Sequence, residues 1–140
     1  MDEDRRLRYR DKILWIQNRE ELIGTWLKEL LPDESHHDTR TVLATFKAFQ
    51  EVVESTMDII AMYLRDHDIP SRDDYSNIDR IDLFAEGQKK LLREMNGMRN
   101  RIVHRYNGTD ESLALSRIWE SMPAIHSLVQ VIEQWIMQQK

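Results

Sequence analysis

The chain has 140 residues, 41% of them hydrophobic and 32% charged, with a formal net charge of -5. That length suits one domain, spanning 1–140, with enough apolar side chains for one continuous core. Four Gly and three Pro argue against collagen, disorder and a turn-rich β-sandwich. The absence of cysteine excludes a disulfide framework, a thiolate nucleophile and Cys-ligated zinc or iron–sulfur sites. No apolar run approaches the roughly eighteen residues of a membrane span, and MDEDRRLRYR lacks the apolar centre of a signal peptide. The expectation is a soluble, cytoplasmic protein. Its negative charge weighs against nucleic-acid binding, although an average can hide a basic patch.

Four apolar stripes follow in chain order. Tyr9, Ile13, Ile16, Ile23, Leu27 and Leu30 recur in steps of three and four, with Glu20 in the one missed slot. Leu31-Pro32-Asp33 ends this helix, and Ser35 or Asp38 can cap the next. The second stripe is Val42, Phe46, Phe49, Val53, Thr56, Ile60 and Tyr63. Asp66 to Asn77, with Pro70, reads as a loop, and a third helix is expected from Asn77 or Asp79 towards Tyr106. Its stripe is Phe84, Leu91, Met95, Met98 and Ile102, interrupted by Gln88. Asn107-Gly108 is a stop, and Thr109 a good N-cap. The fourth stripe runs through Leu115, Ile118, Met122, Ile125, Val129, Ile132 and Ile136, with a kink or short break expected near Ser121 because of Pro123. A mean step near 3.5 suits helices that pack almost parallel. The predicted fold is all-α, an up-and-down four-helix bundle with a kinked last helix.

Charge is unevenly spread. Lys89 to Tyr106 holds six bases against one acid, whereas Asp66 to Glu86 holds seven acids against two bases. Two readings are open: a solvated helix face balanced by an acidic neighbour, or an anion-binding surface.

Metal chemistry finds little support. His36 and His37 are adjacent, so their side chains diverge by about 100° on a helix, and no ligand-spaced partner follows. Asp66, Asp68, Asp73 and Asp74 lack the central Gly and final Glu of a calcium loop. No phosphate-cradling Gly-rich loop or nucleophile-elbow serine is present. Trp15, Trp26, Trp119 and Trp135 lie beside the stripes, as core or interface residues.

One cluster remains, from Met98 through Arg99, Asn100, Arg101 and His104 to Tyr106. Asn100 and His104 share a helix face. Arg99 and His104 diverge by about 140° and straddle a ligand poorly within one chain. Across a two-fold axis, two copies could enclose a cleft, and Gly97 would permit close backbone approach. The alternative is a buried His–Asn pair capping the helix end.

Arg99, four residues, His104, one residue and Tyr106 match the Arg-x4-His-x-Tyr motif, and the string MRNRIVHRYNGTD with Ile118-Trp119-Glu120 beyond it resembles HepT toxins of the HEPN superfamily. The resemblance implies a homodimeric, metal-independent ribonuclease toxin needing no cofactor of its own. It also implies a partner antitoxin, an MntA-like nucleotidyltransferase that spends ATP and Mg²⁺ to adenylylate Tyr106.

RNA carries its own nucleophile, the 2′-hydroxyl, so cleavage requires a base, an acid and charge stabilisation. Histidine is the residue type that titrates near neutrality, which assigns His104 to acid/base work. Arg99 would bind the phosphate bidentately, Asn100 would orient His104 or touch the phosphate, and Arg93, Arg101 and Arg105 would hold RNA. The competing expectations are a non-catalytic scaffold or substrate-binding subunit of a nucleotidyltransferase, and a plain interaction bundle.

Overall fold

The structure, a computed structural model, describes residues 1–31, 38–104 and 110–139. Its helices are α1 (Glu3–Leu30), α2 (Thr39–Asp66), α3 (Asp74–Arg80), α4 (Glu86–His104) and α5 (Glu111–Met137). Among the described residues there is no strand. α1 packs on α2 and α5, α2 on α4, and α4 on α5, which closes a ring in chain order around one core. That is the up-and-down bundle, with α3 added against α2 and α4. No helix among the described residues is long and apolar enough to cross a membrane.

The first stripe is buried at every position named. So is the second, but α2 also buries Val52, Met57, Ile59 and Leu64, because it has neighbours on two sides. Thr45 and Thr56 enter this core by donating their hydroxyls to the carbonyls of Thr41 and Val52, both at 2.8 Å. Asp38 caps α2, accepting from the Thr41 amide. Ser35, His36 and His37 lie outside the described residues.

The third helix differs from expectation. α3 stops at Arg80, and α4 begins only at Glu86. Neither Pro nor Gly makes this break. Ile81 turns extended and is buried with Phe84, so the backbone leaves the helix to carry both side chains inward. Gln88 then accepts from the Ala85 amide at 2.9 Å, one half of a capping box that restarts the helix. Tyr63 fastens the segment to α2 by donating to Asp82 at 2.7 Å, and burial pushes its phenol up to about 12.

α5 is capped by Asp110 rather than Thr109, its carboxylate accepting from the Leu113 amide at 3.0 Å. It runs through Pro123 as one element, so no break occurs near Ser121. Ser121 is instead buried, its hydroxyl donating to the Ile118 carbonyl. At the bundle end where α1 starts, Asp66 accepts from Arg5 at 2.9 Å and Tyr9 at 2.6 Å. Tyr9, Tyr63, His67 and Trp135 stack around this joint.

Glu20, the polar slot in the first stripe, is half-buried. One carboxylate oxygen has no hydrogen-bond partner among the described residues, and the other lies 3.7 Å from His126. Desolvation pushes its carboxyl above the usual range, with His126 opposing and Glu133 adding to the shift. The folded state therefore holds this proton more tightly than the unfolded chain. Stability falls as pH rises from the ordinary carboxylate value through the raised one, and stays lower above both. Glu20→Gln should stabilise the protein by about 1 kcal/mol at pH 7 and match wild type at pH 4, in thermal melts across that range.

Candidate functional site

The C-terminal half of α4 buries Met95, Asn96, Met98 and Ile102. This fixes the helix's rotation, and with it the direction of every motif side chain. Arg99 is turned towards α2 and α3, where its side chain is only 16% exposed. One terminal nitrogen lies 3.6 Å from Glu54, and the other donates to Asp74 at 3.1 Å and to the Asn96 amide oxygen at 2.7 Å. Its Nε is buried and unpartnered among the described residues. The guanidinium is held by two carboxylates and an amide, in a fixed place beside the surface.

His104 is the last residue of α4 and is exposed. Its side chain makes no hydrogen bond or ion pair among the described residues. Asn100 is half-buried and does not bond to it. The buried His–Asn cap is therefore overturned, because the rotation that buries Ile102 leaves His104 in solvent. Arg105 and Tyr106 lie outside the described residues.

The acidic segment balances the basic helix in part. Arg93 pairs with Asp79 at 3.0 Å and Glu86 at 2.7 Å, and Lys89 donates to the Asp79 carbonyl at 3.0 Å. With Asp74 on Arg99, the acidic segment meets the basic helix side chain by side chain. Lys90 and Arg101 are exposed and have no ion pair among the described residues.

The apparent calcium loop is dismantled. Asp66 binds Arg5 and Tyr9, Asp73 caps α3, and Asp74 binds Arg99. Among the described residues no three His, Asp or Glu side chains converge as metal ligands. Trp15 and Trp119 are exposed, Trp15 lying under the Arg19 guanidinium, while Trp26 and Trp135 pack on the core.

Sequence reasoning missed Glu54, Asp74 and Asn96 as partners of Arg99. Asn96 had a signal, since it lies three residues before Arg99 on one helix face. Glu54 had none, because its partner is 45 residues away and its apolar neighbours mark only the core.

A family model for HepT-like ribonucleases matches residues 16–132. Over 130 residues the chain is 35% identical to an Archaeoglobus fulgidus protein named "Putative RNase", covering 91% of this chain and 89% of that one. A tri-AMPylated Shewanella oneidensis HEPN toxin, solved in complex with MNT antitoxin, superposes with a TM-score of 0.77 at 19% identity, covering 96% of this chain and 99% of that one. A toxin–antitoxin structure with AMP-PNP gives 0.78 at 18%, covering 94% and 99%. These two likenesses bear on the fold, whereas the family match and the archaeal relative bear on descent: the chain belongs to the HepT-like ribonuclease family.

Proposed function

We propose that the chain is the ribonuclease toxin of a two-gene toxin–antitoxin system, neutralised by an MntA-like nucleotidyltransferase. The observation that carries this is the state of His104 in a member of that family: exposed, unengaged among the described residues, and five residues from a fixed guanidinium. An imidazole in that state can take the proton of a 2′-hydroxyl or protonate the leaving 5′-oxygen. Arg99 supplies positive charge to the phosphorane that develops between them. To bind the phosphate bidentately it must release Asp74 or Glu54, and Asp74 lies on a separate, seven-residue helix. The products are a 2′,3′-cyclic phosphate and a 5′-hydroxyl, with no metal ion in the chemistry. Asn100 orients the site, and Arg93, Arg101 and Arg105 hold RNA.

In this scheme the active species is a homodimer. Arg99 points inward while His104 points outward, so a second copy of α4 brings the complementary pair into one cleft. Tyr106 is the regulatory position. Each AMP that the partner transfers to it from ATP, with Mg²⁺, adds bulk and about one negative charge beside the arginines that meet RNA. The solved relatives, one tri-AMPylated and bound to MNT antitoxin, support this pairing of partners.

A scaffold subunit is the second reading. It is favoured by the carboxylates that already occupy Arg93 and Arg99. Substitution separates the two. His104→Ala should lower RNA cleavage at least about 100-fold while shifting stability by no more than about 0.5 kcal/mol. Arg99→Ala should also abolish cleavage but cost about 2 kcal/mol, because it strands Glu54, Asp74 and Asn96. Gel analysis of total RNA beside thermal melts checks both; absence of cleavage by the wild-type chain would establish the scaffold, and full cleavage by His104→Ala would remove His104 from the chemistry.

Dimerisation is tested at Gly97. A Cβ there would meet only the Tyr75 hydroxyl at 3.5 Å and an Arg101 nitrogen at 3.7 Å, ordinary contacts. Gly97→Ala should therefore stabilise the protomer by about 0.5–1 kcal/mol while weakening the dimer, as read by light scattering across a dilution series. Tyr106→Phe should remain toxic when co-expressed with the nucleotidyltransferase, and the wild-type peptide containing Tyr106 should gain multiples of the AMP mass.

A further inference from the structure

Between α4 and α5 lies an open groove of 710 Å³. Lys90, Arg93 and Arg101 line it from α4 and Arg117 from α5, against two acids, Glu94 and Glu120. The groove carries two surplus positive charges on a chain of net charge -5. Arg93 is engaged with Asp79 and Glu86, whereas Lys90, Arg101 and Arg117 are exposed with no ion pair among the described residues. The groove between α1 and α2 has the same balance, Arg5, Arg8, Lys12 and Arg65 against Asp11 and Asp58, but Lys12 is matched by Asp58 and Arg5 by Asp66, and none of its lining belongs to the motif helix.

The floor is apolar where α4 turns Leu91, Met95 and Met98 towards the core. Gly97 leaves its own position bare, and the Arg101 guanidinium lies back across it. Basic side chains on both walls of an open groove suit the phosphates of a single strand. Arg101 lies three residues before His104, so the groove leads along α4 to the proposed reacting centre.

We infer that this groove is the track for single-stranded RNA, with Arg101 and Arg117 holding backbone phosphates from opposite walls. The inference rests on the ribonuclease reading and adds Arg117, a residue of α5 outside the motif. It also gives the cations of this face that have no ion pair among the described residues a larger share of the work than Arg93, which must first release Asp79 or Glu86. The contact is with phosphates, so affinity depends on salt and little on base sequence.

Binding is measured in a His104→Ala background, which leaves the strand intact, by fluorescence anisotropy of a labelled single-stranded RNA 12-mer. Each phosphate contact to a single strand contributes about 0.7 to the slope of log affinity against log salt, which is about fivefold at 0.1 M. Arg117→Ala and Arg101→Ala should each weaken binding about fivefold and flatten the slope by about 0.7. Arg8→Ala, on the exposed side of α1, should change neither. Three results would overturn the inference: wild-type affinity and slope in Arg117→Ala, no binding of the 12-mer by the parent protein, or loss of binding that accompanies conversion of a dimer to monomer in Arg117→Glu. The last would mean that Arg117 acts through the pairing of two copies and not on the strand. Cleavage by the wild-type protein is scored separately. If RNA binds through Arg117 but is never cut, the inference stands and the ribonuclease reading falls.

Discussion

The rotation of α4 about its own axis decides what every motif residue can do. Met95, Met98 and Ile102 are drawn into the core, and Asn96 goes with them. Once that apolar edge is buried, Arg99 has no direction left except towards α2 and α3, and His104 none except outwards. A buried guanidinium without partners would be costly, so the fold supplies Glu54 from α2, Asp74 from α3 and the Asn96 oxygen from its own helix. The site is thus a consequence of core packing, in which one basic residue is immobilised and one histidine is left exposed. α3 exists in the right place because Ile78 and Ile81 anchor it to the same core.

The regular part of this architecture was legible in the sequence. Stripes with steps of three and four gave the faces of α1, α2 and α5, since burial on a helix repeats every 3.6 residues whatever the partner. The second buried line on α2 was not legible, because one stripe signals one neighbour and α2 has several. The break between Arg80 and Glu86 was hidden too. Helix ends are announced by Pro, Gly and short polar caps, whereas this one is made by Ile81 and Phe84 finding tertiary contacts, with Gln88 as an inconspicuous cap.

Of the candidate site, the residue types and their spacing can be read in the sequence, and the geometry cannot. Residue types and spacing singled out Arg99 and His104, and helical angles alone placed them on different faces. Whether His104 was a buried cap or a free side chain depended on which way α4 rolled, and that follows from residues on other helices. Charge was legible as two opposed blocks but not as pairs. Asp79 meets Arg93 across a gap of fourteen residues that includes the unforeseen break, so a one-dimensional count could not say which cations are already matched.

Ring closure has a consequence for how the chain can be joined to others. Arg6 donates to the carbonyl of Gln139 at 2.9 Å, so the start of α1 and the end of α5 meet at one end of the bundle. His104 ends α4 towards the opposite end, after 19 residues of helix that rise about 28 Å. A polypeptide attached beyond either of these residues would emerge far from the motif. A short bridge between them would turn the ring of helices into a closed loop of chain. New ends could then be opened elsewhere on the surface, the arrangement in which circular permutation and domain insertion are tolerated.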